Sequence, residues 1–325
     1  MTNDGGFSIF KQKRKDYKMN YWHNTKLRIL NFSHCDMDGA TSTIVIKNYF
    51  NKVISEQITY SQENTIVPKL IKHKDNFDAI IFTDFCPCNL NEVIAFGKPV
   101  LVLDHHESAV KWNDPKKFIY VCPGFSGCKL AYEFFNHDDC LIHLKELIDI
   151  VNDFDLYILK DPRSKPFNSL YWDMGFAWFI NRFFGGDVEL SRAEKVFLVR
   201  KQKEFKEYYD GLEISELNNK GVFCYCDHFL SEVSDALKAD GYAWVVLYRP
   251  GFLSVRSSDD SNIDLVEVAK ILGKGGGHEH AIGIPQEKDM LDKLIGEVDN
   301  AVDTYIKLKT NPPADEFMNK LNGVK

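Results

Sequence analysis

Asp104-His105-His106 sets a carboxylate and two imidazoles in three consecutive residues, directly after the apolar run Val100-Leu101-Val102-Leu103. Successive residues at a strand end point in different directions. One imidazole can then ligate a metal while the other faces a substrate, with Asp104 as an acceptor that orients a ring. A second group is His34, Asp36 and Asp38 in Ser33-His34-Cys35-Asp36-Met37-Asp38-Gly39. In an extended segment, residues two apart project to one side, so this spacing aims an imidazole and two carboxylates into one pocket, and Gly39 permits a tight turn. Read alone, Asp38 serves equally well as a helix N-cap. Asp84 ends the apolar run Ile80-Ile81-Phe82; alone it is a turn residue. Asp153 and Asp155 follow another apolar run, two apart.

Carboxylates crowded together are costly unless a positive charge sits among them. A divalent cation is the natural solution. Oxygen and imidazole donors without thiolate favour Mn²⁺, with Mg²⁺ the alternative. The number of acids suggests two ions, an arrangement suited to hydrolysis of a phosphoester. Toward the C-terminus, Gly275-Gly276-Gly277-His278 offers backbone N–H groups to a ligand; the bland alternative is a loop closing a helix that stops at Gly273. Arg256 at a strand end can clamp a phosphate or carboxylate, although a lone arginine is more often a surface residue. Eight cysteines occur, among them Cys86/Cys88 and Cys224/Cys226. That spacing is narrower than a zinc site prefers, so these read as small buried hydrophobes.

The elements that must position these groups alternate. Strands are expected at 27–32, 57–60, 78–83, 99–103 and 118–121, helices at 39–53, 66–73, 127–136 and 142–151. Alternating strands and helices imply a doubly wound, mainly parallel sheet, and short apolar runs without polar alternation fit strands buried on both faces. The polar clusters fall at the carboxyl ends of strands, where such sheets bind ligands. From 167 to 209 the pattern is helical, broken at Gly185-Gly186, and 189–209 suits a helix that links two domains. A second α/β unit follows, with strands at 222–225, 242–248 and 252–255, helices at 229–238 and 263–272, and a last helix at 288–307. The aromatics Tyr171, Trp172, Phe176 and Trp178 have the spacing of a buried helix face, with base stacking the weaker alternative.

The 325 residues carry a net charge of −7, which lacks the basic signature of proteins that track long nucleic acids. No apolar run approaches a membrane span, and no apolar signal core is present near the N-terminus. Lys11-Gln12-Lys13-Arg14-Lys15 reads as a solvated lead-in. The expected setting is cytoplasmic, with reduced thiols.

Together these residues resemble the DHH phosphoesterase family. The resemblance lies in Ser33–Gly39, Thr83-Asp84, Asp104-His105-His106 and the acid near Asp153, then Ser254-Val255-Arg256-Ser257 and Gly275-Gly276-Gly277-His278, with Ala281 and Gly283 following. It covers roughly 27–307 in the family's order. It implies a polar extension at 1–25, a DHH catalytic domain at 26–187, a helical linker at 188–219, a smaller α/β DHH-associated domain at 220–309 and a polar tail at 310–325, with an active-site cleft between the two domains. It implies that His34, Asp36 and Asp84 hold one metal and that Asp38, Asp84, His105 and Asp153 hold the other. His106 faces the scissile phosphate, and Arg256 with Gly275, Gly276, Gly277 and His278 grips the substrate. Asp153 is preferred over Asp155 because it directly follows the hydrophobic run. The nanoRNase and RecJ-type branches are the most similar. They imply exonucleolytic hydrolysis of short single-stranded oligonucleotides, RNA or DNA, to nucleoside monophosphates, by a monomer or homodimer without an obligate protein partner. The alternatives are a phosphodiesterase for cyclic or linear dinucleotides or for 3′-phosphoadenosine 5′-phosphate, and a non-catalytic binding module on the same fold.

Overall fold

The computed structural model describes residues 17–285 and 291–310. The basic lead-in and most of the polar tail lie outside them. The chain divides into two compact units, Met1–Leu198 and Val199–Lys325.

Helix α1 (Tyr17–Trp22) precedes the first unit's sheet, which comprises β1 (Arg28–His34), β2 (Lys52–Ile58), β3 (Ala79–Thr83), β4 (Val100–Asp104) and β5 (Ile119–Val121). The order is β2-β1-β3-β4-β5, and every pairing is parallel. The helices of this unit are α2 (Met37–Tyr49), α3 (Ile66–His73), α4 (Leu90–Ala95), α5 (Gly127–Phe135), α6 (Lys145–Asp155), α7 (Ser164–Met174) and α8 (Phe176–Phe183); α9 (Arg192–Asp210) crosses the boundary. Alternate strand residues enter two cores. Ile29, Ile81, Leu101 and Leu103 join one; Leu30, Phe32, Ile80, Phe82 and Val102 join the other. Both faces are buried, which is why these strands lack polar alternation. Strand order reverses between β1 and β3, and that switch point is where a doubly wound sheet opens a crevice at its carboxyl edge.

Several boundaries differ from those expected: the strand expected at 57–60 ends at Ile58, with Tyr60 opening a short helical turn, and the linker expected to be helical holds strand Ile214–Leu217. The helix expected to reach Val53 ends at Tyr49, with Phe50 extended, and Lys52–Ile58 is a strand; β-branched Val53 and Ile54 fit a pleated surface. Helix α6 continues through Asp155 rather than ending at Val151, which matters for the site.

The second unit holds β6 (Ile214–Leu217), β7 (Gly221–Tyr225), β8 (Trp244–Arg249), β9 (Phe252–Ser257), β10 (Gly276–His278) and β11 (Ala281–Pro285). They form a mixed sheet in the order β10-β11-β9-β8-β7-β6. Helices α10 (Leu230–Ala239), α11 (Leu265–Leu272) and α12 (Leu291–Thr310) complete it. The glycine run expected as a loop is instead the edge strand of a hairpin. Arg256 pairs with Ala281, and Ala281 with His278, so the residues singled out here share one register row. Cys224 and Cys226 are fully buried. No helix among the described residues is long and apolar enough to cross a membrane.

Candidate metal centre

Three strand ends and one helix end deliver the cluster. Three combinations of ligand atoms each lie within 4.8 Å of one another: His34, Asp36 and Asp84; Asp38, His105 and Asp155; Asp84, His105 and His106.

Asp36, not Asp38, is the N-cap of α2. Its Oδ1 accepts from the Gly39 amide at 2.8 Å, and its Oδ2 lies 2.6 Å from His34 Nδ1. Asp38 stands in the first turn, 2% exposed. Its two oxygens accept from the Gly127 and Cys128 amides at 2.6 and 2.8 Å, so it clasps the N-terminus of α5, where an anion is favoured. Gly39 lies inside the helix rather than in a turn. It is required because a Cβ there would sit 2.1 Å from the His34 carbonyl oxygen.

Asp84 follows β3 with φ at +55°, in the left-handed region that Asp tolerates better than most residues. Its amide donates to the Leu103 carbonyl at 2.9 Å, which locks the turn. The carboxylate comes to 3.2 Å from His105 Nε2 and 4.0 Å from His34 Nδ1. Asp104 Oδ1 accepts from the His105 amide at 2.8 Å and pairs with His106 Nδ1 at 2.8 Å. It therefore orients His106 and fixes the backbone of His105. His105 Nε2 approaches Asp155 at 3.4 Å and Asp38 at 4.0 Å.

The preference for Asp153 is corrected by this geometry. Because α6 continues, the two acids are separated by about 200° around the helix axis. Asp153 turns away: its oxygens accept from the amides of Lys160 and Asp161 and from the Ser164 hydroxyl at the start of α7. Asp155 joins Asp38 and His105. The signal was present, since Asp155 extends the row Leu144, Ile148, Val151 by one further helical step.

Both oxygens of Asp84, Oδ2 of Asp104 and Oδ2 of Asp155 are buried without a hydrogen-bond partner among the described residues. Unpaired buried carboxylate oxygens are expensive. Burial and the charges of Asp36, Asp38 and Asp155 push the Asp84 carboxyl well above its ordinary range. Burial, Asp38 and Asp36 do the same to Asp155. Asp36 moves the other way: burial opposes its ionisation, but the His34 imidazole and the Gly39 amide hold it below the usual carboxylate range. Burial lowers His105, against the pull of Asp38; at His34, burial is outweighed by Asp36 and the ring is raised. An acidic cluster with orphaned oxygens and imidazoles, and no cysteine in any of the three groups, fits a hard or borderline divalent cation.

Two features escaped the sequence reading. Tyr60 lies against the cluster, its ring centroid 5.2 Å from that of His34 and 5.8 Å from that of His106. The α5 amides that hold Asp38 also carried no motif of their own. Of the aromatics proposed for stacking, Tyr171 is in the core and Phe176 and Trp178 pack against it; Trp172 is exposed.

Residues 28–152 match the model of the DHH family, N-terminal domain. The chain is 23% identical over 308 residues to the oligoribonuclease NrnB of Bacillus subtilis (strain 168), covering 82% of this chain and 75% of that protein. Among solved structures it is similar to the DHH domain of a protein described as a member of a family of ribosomal proteins, with TM-score 0.65, 15% identity and coverage of 87% and 88%. It is also similar to RecJ from Thermus thermophilus in complex with Mn²⁺, with TM-score 0.59 and 14% identity, covering 88% of this chain and 54% of RecJ.

Proposed function

We propose that this chain, which carries a DHH-family domain at residues 28–152, is a metal-dependent phosphodiesterase that removes nucleoside monophosphates from the ends of short oligonucleotides. The observation that carries the reading is Asp84: a buried carboxylate at the sheet's switch point, both oxygens without a hydrogen-bond partner among the described residues, shared by two groups of candidate ligands. A residue so placed is suited to bridge two cations. His34 and Asp36 would complete one ligand set, and Asp38, His105 and Asp155 the other. Divalent cations bound there supply an activated water and neutralise charge on the phosphoryl oxygens. The likeness to an oligoribonuclease supports a short nucleic acid as substrate.

The chain's own groups then divide the remaining work. Asp104 holds the His106 ring through Nδ1, which would leave Nε2 to face a phosphoryl or leaving oxygen. The α5 amides keep Asp38 in place without side-chain movement, the pre-organisation such chemistry requires. In the second unit, Arg256 shares its row with the β10–β11 hairpin, and Gly277, at φ +151°, lets the hairpin strands approach so closely that a Cβ there would meet the Ala281 carbonyl at 2.1 Å. Arg256, Gly275 and strand β10 would hold an anionic part of the substrate.

The test is a hydrolysis panel on chelator-stripped protein to which Mn²⁺ or Mg²⁺ is returned: linear dinucleotides, five-mer RNA and DNA, cyclic dinucleotides and 3′-phosphoadenosine 5′-phosphate. Monophosphate release from the linear substrates, absent without metal, is expected. Turnover confined to the cyclic dinucleotide or to 3′-phosphoadenosine 5′-phosphate would replace the oligonucleotide assignment, and folded protein inert toward all of them would remove the enzyme reading.

A further inference from the structure

Tyr60 is placed as no surface tyrosine needs to be. It opens the short helical segment Tyr60–Thr65 after β2. Its backbone is pinned there: the Thr59 amide donates to Gln62 Oε1 at 3.4 Å and the Gln62 amide to the Thr59 carbonyl at 2.9 Å. The ring rests on Phe85, centroids 5.2 Å apart. Phe85 is itself fully buried and directly follows Asp84, so the seat is as rigid as the metal-centre backbone. The same ring flanks His34 at 5.2 Å and His106 at 5.8 Å. Yet Tyr60 remains 47% exposed. One side is thus packed on three rings at the centre while the rest is open to solvent, beside the position where a phosphate would be held.

An anionic chain such as polyphosphate offers such a ring nothing to bind. A nucleotide does, because each phosphate carries a base within a few bonds, and every base has a π-face to lay on an aromatic side chain. A rigid, half-exposed ring needs little ordering on binding, so most of the stacking energy is retained.

We infer that Tyr60 is the stacking platform for a nucleobase adjoining the reacting phosphate. This rests on the nucleotide reading of the metal centre. Stacking is tolerant of base identity, so the platform suits an enzyme without sequence preference.

The experiment measures binding separately from turnover. Isothermal titration of metal-loaded protein uses an adenine dinucleotide with a non-hydrolysable methylene bridge, and the same molecule with each base removed in turn. Tyr60→Leu keeps an apolar side chain on Phe85 and removes the ring; Tyr60→Phe keeps the ring and removes the hydroxyl. Tyr60→Leu should weaken the full dinucleotide on the order of tenfold, and Tyr60→Phe should bind like the wild type. For one of the two abasic analogues, wild type and Tyr60→Leu should bind alike. Equal affinity of Tyr60→Leu and wild type for the full dinucleotide would overturn the platform. So would a Tyr60→Phe variant as weak as Tyr60→Leu, which would assign the role to the hydroxyl, or a wild type that binds no dinucleotide. A wild type that binds the analogue but hydrolyses no linear dinucleotide would sink the hydrolase reading and leave the platform standing.

Discussion

At Gly127 a single methyl group would press on the candidate metal centre. It opens α5, and its amide donates to Asp38 at 2.6 Å. An ideal Cβ on Gly127 would lie 2.4 Å from Asp84 Cβ, 2.6 Å from its Cα and 2.8 Å from its N. None of these atoms can swing aside, since the Asp84 backbone is held by the Leu103 carbonyl. Ordinary carbon–carbon contact is about 3.5 Å, so in Gly127→Ala the start of α5 must retreat by about 1 Å. The Asp38 bonds to Gly127 and Cys128, now 2.6 and 2.8 Å, would then pass beyond hydrogen-bonding range. Overpacking costs about 1–3 kcal/mol, and weakening two bonds to a buried carboxylate adds about 1–3 kcal/mol. A net loss of about 2–6 kcal/mol is expected, roughly 4–24 °C in the unfolding midpoint of a domain this size. Mn²⁺ affinity should fall by about 10- to 100-fold, the usual consequence of misplacing a ligand's support. Thermal unfolding with chelator and Mn²⁺ titration followed by electron paramagnetic resonance read the two effects. Gly124→Ala is the control, because a Cβ there meets nothing within 4 Å. If Gly127→Ala matched Gly124→Ala in both measurements, α5 would not hold the centre as described.

Asp155→Asn and Asp153→Asn should separate. The first should weaken Mn²⁺ binding by at least about tenfold while leaving the chelated protein as stable or more so, since it removes a crowded charge. The second should leave the ligand set in place but destabilise by about 1–3 kcal/mol by weakening the bonds to the Lys160 and Asp161 amides and the Ser164 hydroxyl; a metal defect in Asp153→Asn without loss of stability would reverse the assignment. The chelated protein should also lose stability as pH rises. Asp84 and Asp155 have folded-state pKa values raised above their unfolded ones, so their contribution is complete below the ordinary carboxylate value of about 4 and is lost as pH climbs through the raised values. Bound Mn²⁺ stabilises the ionised carboxylates, so the midpoint gap between metal-loaded and chelated protein should widen from about pH 5 to pH 8; a constant gap would contradict the crowding.

The gathering of these side chains was legible because strands β3 and β4 are bare apolar runs that stop at carboxylates and imidazoles. Strand β3 ending before Asp84 and β4 ending at Asp104 needed only hydrophobicity and position. The choice between Asp153 and Asp155 failed because it depended on where α6 ends, and the apolar row that decides it merges with the polar cluster. Gly39 was recognised for its backbone but assigned a turn; its real constraint is contact with a carbonyl five residues earlier. Tyr60 and the α5 amides could not be found locally, since each reaches the centre through the tertiary path of the chain. The strand at Gly276–His278 has no side-chain pattern to announce it and exists through its partner β11.

His34 and Asp155 stand at opposite ends of the stretch that builds the centre, and strands β1, β3 and β4 must all be in register before their ligands meet. Such long sequence separations close late in folding. An unfolded chain holds scattered acids and imidazoles but no site, so the free energy of metal capture accrues to the finished domain alone and grows with cation concentration. If the centre binds a divalent cation as proposed, the amount of folded protein would depend in part on the free pool of that cation, and a destabilised variant of the first unit would be rescued by raising that pool rather than by a compensating substitution.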